Sequence, residues 1–123
     1  MRRLYDALNH HDWDGAFADA HRDIEVTTQR GPEAGTKRGR EAAQGLVEDY
    51  IGMFDEVVFE PEEFVEVGDQ VLVVLTRRAR AKGADGDMVV RNGHLFTFRD
   101  GRIPSMRSFP DPEDGRKVLG RDA

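Results

Sequence analysis

His94 is the side chain of this sequence best suited to proton chemistry. An imidazole changes charge near pH 6.5, so it can give or take a proton around neutrality. It stands in the run Asn92-Gly93-His94-Leu95-Phe96-Thr97-Phe98, which has the composition of a strand. Successive strand residues face opposite sides, so Asn92, His94, Phe96 and Phe98 share one face. That face joins an imidazole and an amide to two aromatic rings, the make-up of an apolar pocket with a few placed polar groups. His94 is therefore the candidate acid/base group, with Asn92, Phe96 and Phe98 as ligand contacts. The competing role for His94 is a core histidine satisfied by a backbone carbonyl or a neighbouring strand. Catalysis calls for a second convergent polar group, and Thr28 is the candidate. Trp13 and Tyr50 complete the expected contacts, Tyr50 at the pocket mouth and Trp13 as a ligand wall or a core anchor. A β-bulge at Gly93 would turn His94 outward, so the assignment depends on unbroken strand parity.

Other chemistry finds less support. His10, His11 and Asp12 are adjacent at a helix end and do not converge on one point, so no metal site is expected. Arg77, Arg78, Arg80 and Lys82 cluster at a strand end. They could hold an acidic substrate or a coenzyme phosphate, but a solvated edge strand explains them as well. Gly83 to Gly86 lacks the strand-to-helix setting of a phosphate loop, and Ser105 and Ser108 lack the glycines of a nucleophile elbow. The acidic run from Asp55 to Glu66 is a solvated strand face. There is no cysteine, hence no disulfide, thiolate metal site or cysteine nucleophile. No cofactor site is visible, so none is expected.

These residues need elements to hold them. Leu4, Tyr5 and Leu8 recur at helical spacing, giving a first helix that ends near Asn9. Asp12 is an N-cap for a second helix over Trp13–His21. Asp23–Thr28 alternates as a strand, and Gln29–Arg38, with two glycines and a proline, is expected as a loop. Gly39–Phe54 carries an apolar stripe through Ala43, Leu46, Val47 and Tyr50 and is the best helix. Val57–Glu60 and Phe64–Val67 are strand-like around Pro61, which suits an edge strand or a bulge. Val71–Arg80, Met88–Arg99 and Ile103–Phe109 are strands, the last two joined by a tight turn at Asp100-Gly101. Asp111-Pro112 starts a terminal helix. The spacing predicts an α+β fold, in which helices close one face of a strongly curved antiparallel sheet to make a cone.

The set Leu4-Tyr5-Asp6-Ala7-Leu8-Asn9, Asp12-Trp13-Asp14-Gly15, Asp23-Ile24-Glu25-Val26, Gly39-Arg40-Glu41-Ala42-Ala43, Gly68-Asp69-Gln70-Val71 and His94-Leu95-Phe96-Thr97-Phe98 with Asp100-Gly101-Arg102-Ile103 resembles the nuclear transport factor 2-like superfamily. More narrowly, it is similar to the SnoaL-like polyketide cyclase and ketosteroid isomerase branch. The resemblance implies the cone-shaped α+β fold. Matched residue by residue, the oxyanion tyrosine of the isomerases falls on Leu4, with Tyr5 one position away. Their general-base aspartate falls on Thr28, a supporting tyrosine on Val47, and the protonated aspartate on His94. Isomerisation by that mechanism is therefore not expected, and no Asp-Arg-Asp network of the epoxide-hydrolase kind is evident. The cyclases use one acid/base group deep in the cone, which here would be His94.

At 123 residues the chain is expected to form a single domain over 1–123. Eighteen basic against 24 acidic residues give a net charge of −6, which argues against nucleic acid and anionic membrane surfaces as partners. With no apolar run of membrane-spanning length, a cytoplasmic protein is expected. Val89, Leu95 and Phe109 fall on the outer sheet face, predicting a homodimer that covers them. Two functions stay open. One is a cofactor-independent isomerase, cyclase or dehydratase acting on a small apolar carbonyl or hydroxylated ring compound. The other is a non-catalytic ligand-binding or dimeric assembly domain of the same fold.

Overall fold

The structure is a computed structural model that describes residues 1–28 and 35–120. The elements run α1 (Arg2–Asn9), α2 (Trp13–Ala16), β1 (Ala20–Thr28), β2 (Gly35–Arg38), α3 (Arg40–Ile51), β3 (Phe54–Val67), β4 (Gln70–Ala81), β5 (Met88–Arg99), β6 (Arg102–Phe109) and α4 (Pro112–Val118). One sheet holds the six strands in the order β2-β1-β6-β5-β4-β3. Its pairs are antiparallel except β1 with β6, which is parallel.

The strand sequences explain why the sheet is covered twice. In β4, Val73, Leu75 and Ala79 are buried on one face while Leu72 and Val74 are buried on the other. A strand apolar on both sides needs cover on both. On the concave face, α1, α2 and α3 supply Tyr5, Leu8, Ala16, Ala43 and Leu46 to the main core. On the outer face, Leu72, Val74, Leu95 and Phe109 form a second cluster with Val118 and Leu119. Close approach there depends on two glycines. A Cβ on Gly115 would stand 2.8 Å from Leu72 Cδ1, and one on Gly93 would stand 3.3 Å from Pro112 Cα. Asp111 caps α4 by accepting from the Glu113 N–H at 3.0 Å.

This cover corrects the expectation for the outer face. Leu95 is 2% exposed and Phe109 3%, shielded by the chain's own last helix rather than by a second subunit. Met88 and Val89 remain exposed on β5, at 49% and 55%.

Three boundaries also differ. The second helix is a single turn, capped by Asp12 as expected, because the chain turns at Phe17 and Ala20 already pairs with Ile103 of β6. α3 stops at Ile51, and Phe54 pairs with Ala81 instead of extending the helix. Gly35–Arg38, expected within a loop, is a strand paired with β1, Glu25 opposite Arg38. The remainder of that expected loop, 29–34, lies outside the described residues. Elsewhere the spacing holds. β3 is an edge strand with a register shift between Pro61 and Glu63, and Asp100 and Gly101 take left-handed backbone (φ 53° and 77°) to turn β5 into β6. Among the described residues no helix is long and apolar enough to cross a membrane.

Candidate active site

The pairing of β5 is regular through Gly93, which sits opposite Val74 on one side and Phe109 on the other. With no bulge there, parity holds: Leu95 points to the outer cluster while His94 and Phe96 face the concave side. On that side α1 crosses the cone, held to β3 by Asn9. Its Nδ2 donates to the Phe59 carbonyl and its Oδ1 accepts from the Phe59 N–H, both at 2.8 Å. This clamp sets the rotation of α1 and turns Tyr5 inward.

Tyr5 is the second polar group. Its hydroxyl lies 2.8 Å from His94 Nδ1, and the two rings stack at 5.9 Å with 10° between their planes. Phe96 meets both rings edge-on. Asn92 Nδ2 lies 3.3 Å from His94 Nε2 on the other side. Two proton arrangements fit. Tyr5 O–H donates to Nδ1 and leaves N–H on Nε2, or Nδ1–H donates to Tyr5 and leaves the phenol hydrogen for a third partner. The second matches the placement of Asn92, whose Nδ2–H then donates to Nε2.

Both groups are neutral at pH 7. Burial, with the nearby Arg77 charge adding to it, lowers the His94 pKa from 6.5 to about 4. Burial raises the Tyr5 pKa well above its usual 10. The pair stands at one side of a cavity of about 220 Å³. Apolar walls come from Leu4, Leu8, Phe17, Ile24, Leu46 and Phe59, and polar groups from Tyr5, Thr28, Tyr50, Arg77, Asn92, His94 and Ser108. No carboxylate lines it among the described residues.

Of the residues singled out from the sequence, Thr28, Tyr50, Asn92, His94 and Phe96 line this cavity. Trp13 and Phe98 do not line the cavity. Trp13 opens the one-turn α2, packs on the flank of the core and stacks on His11 at 5.7 Å. Phe98, near the end of β5, packs against the main core outside the cavity lining. Reasoning from sequence missed Tyr5, given to the core stripe, and Arg77, given to a solvated edge. A signal existed for each. Tyr5 is one residue from the matched oxyanion position, and Arg77 is in phase with Val73 and Leu75 on the apolar face of β4. Among the described residues no group of His, Cys, Asp and Glu is placed to hold a metal ion.

Residues 1–106 match the family model of the SnoaL-like domain. Among solved structures, TerC co-crystallised with polyporic acid superposes with a TM-score of 0.81 at 23% identity, covering 95% of this chain and 92% of that one. A Catenulispora acidiphila protein of ketosteroid isomerase-like fold, in complex with trimethylamine, gives 0.79 at 18% identity, covering 99% and 94%. A putative polyketide cyclase from Sinorhizobium meliloti gives 0.71 at 24% identity, covering 86% and 89%. At these identities the likeness is one of fold. No curated protein matches the sequence.

Proposed function

The chain belongs to the SnoaL-like domain family, and from that premise we propose that its cone binds a small, largely apolar carbonyl or hydroxylated ring compound and performs cofactor-independent acid/base chemistry on it. The observation that carries this reading is the buried Tyr5–His94 contact of 2.8 Å opening on an apolar cavity. In this reading the pair presents one remaining hydrogen to a ligand oxygen. A preorganised donor in a dry site stabilises negative charge that develops on that oxygen. His94 is uncharged at pH 7, and its Nε2 lone pair, held by Asn92 Nδ2 at 3.3 Å, becomes the proton acceptor when the ligand displaces that contact, with Tyr5 fixing the ring through Nδ1. That TerC, a protein of the same fold, was co-crystallised with polyporic acid supports a small-molecule occupant for the cone.

The test is α-proton exchange of 1-tetralone in deuterated water, followed by NMR. Wild type should accelerate exchange, and His94→Gln should lower that rate by about 10²–10⁴-fold while binding persists. One observation favours the non-catalytic reading: no carboxylate base lines the cavity among the described residues. Binding of 1-tetralone without any acceleration would establish that alternative. The reading also retains a homodimer, through the part of the outer face where Val89 is exposed. Light scattering at micromolar concentration should give twice the chain mass, and a monomer contradicts it.

A further inference from the structure

Among the described residues three buried side-chain atoms have no hydrogen-bond partner: Tyr50 Oη, Arg77 Nε and Asn92 Oδ1. All three residues line the one cavity. Leaving a polar group buried and unsatisfied costs about 1–3 kcal/mol. Burial raises the Tyr50 pKa and the neighbouring Arg77 opposes that rise, so these two groups already interact, and with Asn92 Oδ1 they form a polar patch able to receive a ligand oxygen.

Arg77 differs from the arginines around it. Arg78 lies 3.6 Å from Glu60, Arg80 3.0 Å from Asp87 and Arg91 3.7 Å from Glu62. Each has a carboxylate at the exposed surface. Arg77, half-buried on the concave face, has no ion pair among the described residues, and its guanidinium lies 5.2 Å over the Tyr50 ring. Its row across the sheet is Phe59–Arg77–Val90, and all three side chains face the cavity. An uncompensated cation on an apolar wall, where charges interact strongly, favours an anion, and a guanidinium presents paired donors that match a carboxylate.

We infer that the ligand of this cavity is an organic anion, a carboxylate or comparable oxyanion carried on a ring body, whose charge pairs with Arg77 while a second oxygen reaches Tyr5 and His94. This rests on the proposed ligand site and names its substrate class. The spacing suits a molecule of one or two rings. Arg77 and Val73, the residue opposite His94, are four positions apart on β4, about 13 Å of extended strand, and the Arg77 side chain shortens that span. Its charge is felt at His94, where it helps to lower the imidazole pKa. An anion on Arg77 would cancel that contribution and make His94 a better base when substrate is present.

The test compares 2-naphthoate with its neutral isostere 2-naphthamide by calorimetry. Wild type should bind the carboxylate at least tenfold more tightly. Arg77→Met should bring the ratio close to one, and Arg77→Lys should keep part of it. A measurement on wild type alone guards against a variant that fails to fold: the His94 pKa, read by NMR, should be higher in the naphthoate complex than in the naphthamide complex. Equal affinities, a ratio unchanged in Arg77→Met, or equal His94 pKa values in the two complexes overturns the inference. If naphthamide binds and naphthoate gains nothing, only the anion inference falls. If neither probe binds, the ligand site falls with it.

Discussion

A neutral imidazole against a neutral phenol, both shut away from water, has a thermodynamic consequence at the residue scale. The His94 pKa of about 4 in the fold lies below the 6.5 of an unfolded chain, so the unfolded state binds the proton more readily. His94 therefore adds no instability above pH 6.5 and progressively more as pH falls from 6.5 toward 4. The loss is on the order of 3 kcal/mol. The groups facing the ring are Tyr5, Asn92 and, through its charge, Arg77. Urea unfolding at pH 7 and pH 4.5 should show a smaller pH-dependent loss in His94→Gln than in wild type, and equal slopes would count against a buried neutral His94. At this scale the sequence showed what strand parity can show: His94, Asn92 and Phe96 on one face. It concealed Tyr5, because a helical residue's facing depends on the rotation of the whole helix. That rotation is set by the Asn9 clamp on Phe59, 50 positions away in sequence.

At the scale of elements, the decisive piece is α4. It converts the outer surface of β4, β5 and β6 into a second small core, and Gly93 and Gly115 let it lie close. Leu95→Ala should lower unfolding stability by about 2–5 kcal/mol, read by urea titration, and leave the oligomeric state unchanged. A change in mass without loss of stability would instead place Leu95 in a subunit interface. The long strands and α3 were legible because their apolar periods are strong. The hairpin at Asp100-Gly101 and the Asp111 cap were legible because their residues have local backbone reasons. β2 was not, since a four-residue polar strand has no pattern of its own and exists through pairing with β1. The shortening of α2 has the same origin, the pairing of Ala20 with β6 overriding a helical spacing. Where α4 docks was equally invisible, because an amphipathic turn does not name the face it will cover.

On the scale of the whole molecule, the two cores divide labour. The outer cluster under α4 is filled by side chains, while the concave side holds the main core and leaves a cavity beside Tyr5 and His94. This difference explains why a family resemblance made the cone legible while its contents had to come from geometry. The four histidines make ligand binding beside His94 directly measurable. His10, His11 and His21 are exposed, and His94 is buried at the cavity. A ¹⁵N–¹H spectrum of the imidazole side chains, recorded with and without 1-tetralone, separates the four. The His94 ring nitrogens should shift on addition of the ketone while the other three histidines stay in place. An unmoved His94, or shifts spread equally over all four, would contradict binding beside His94.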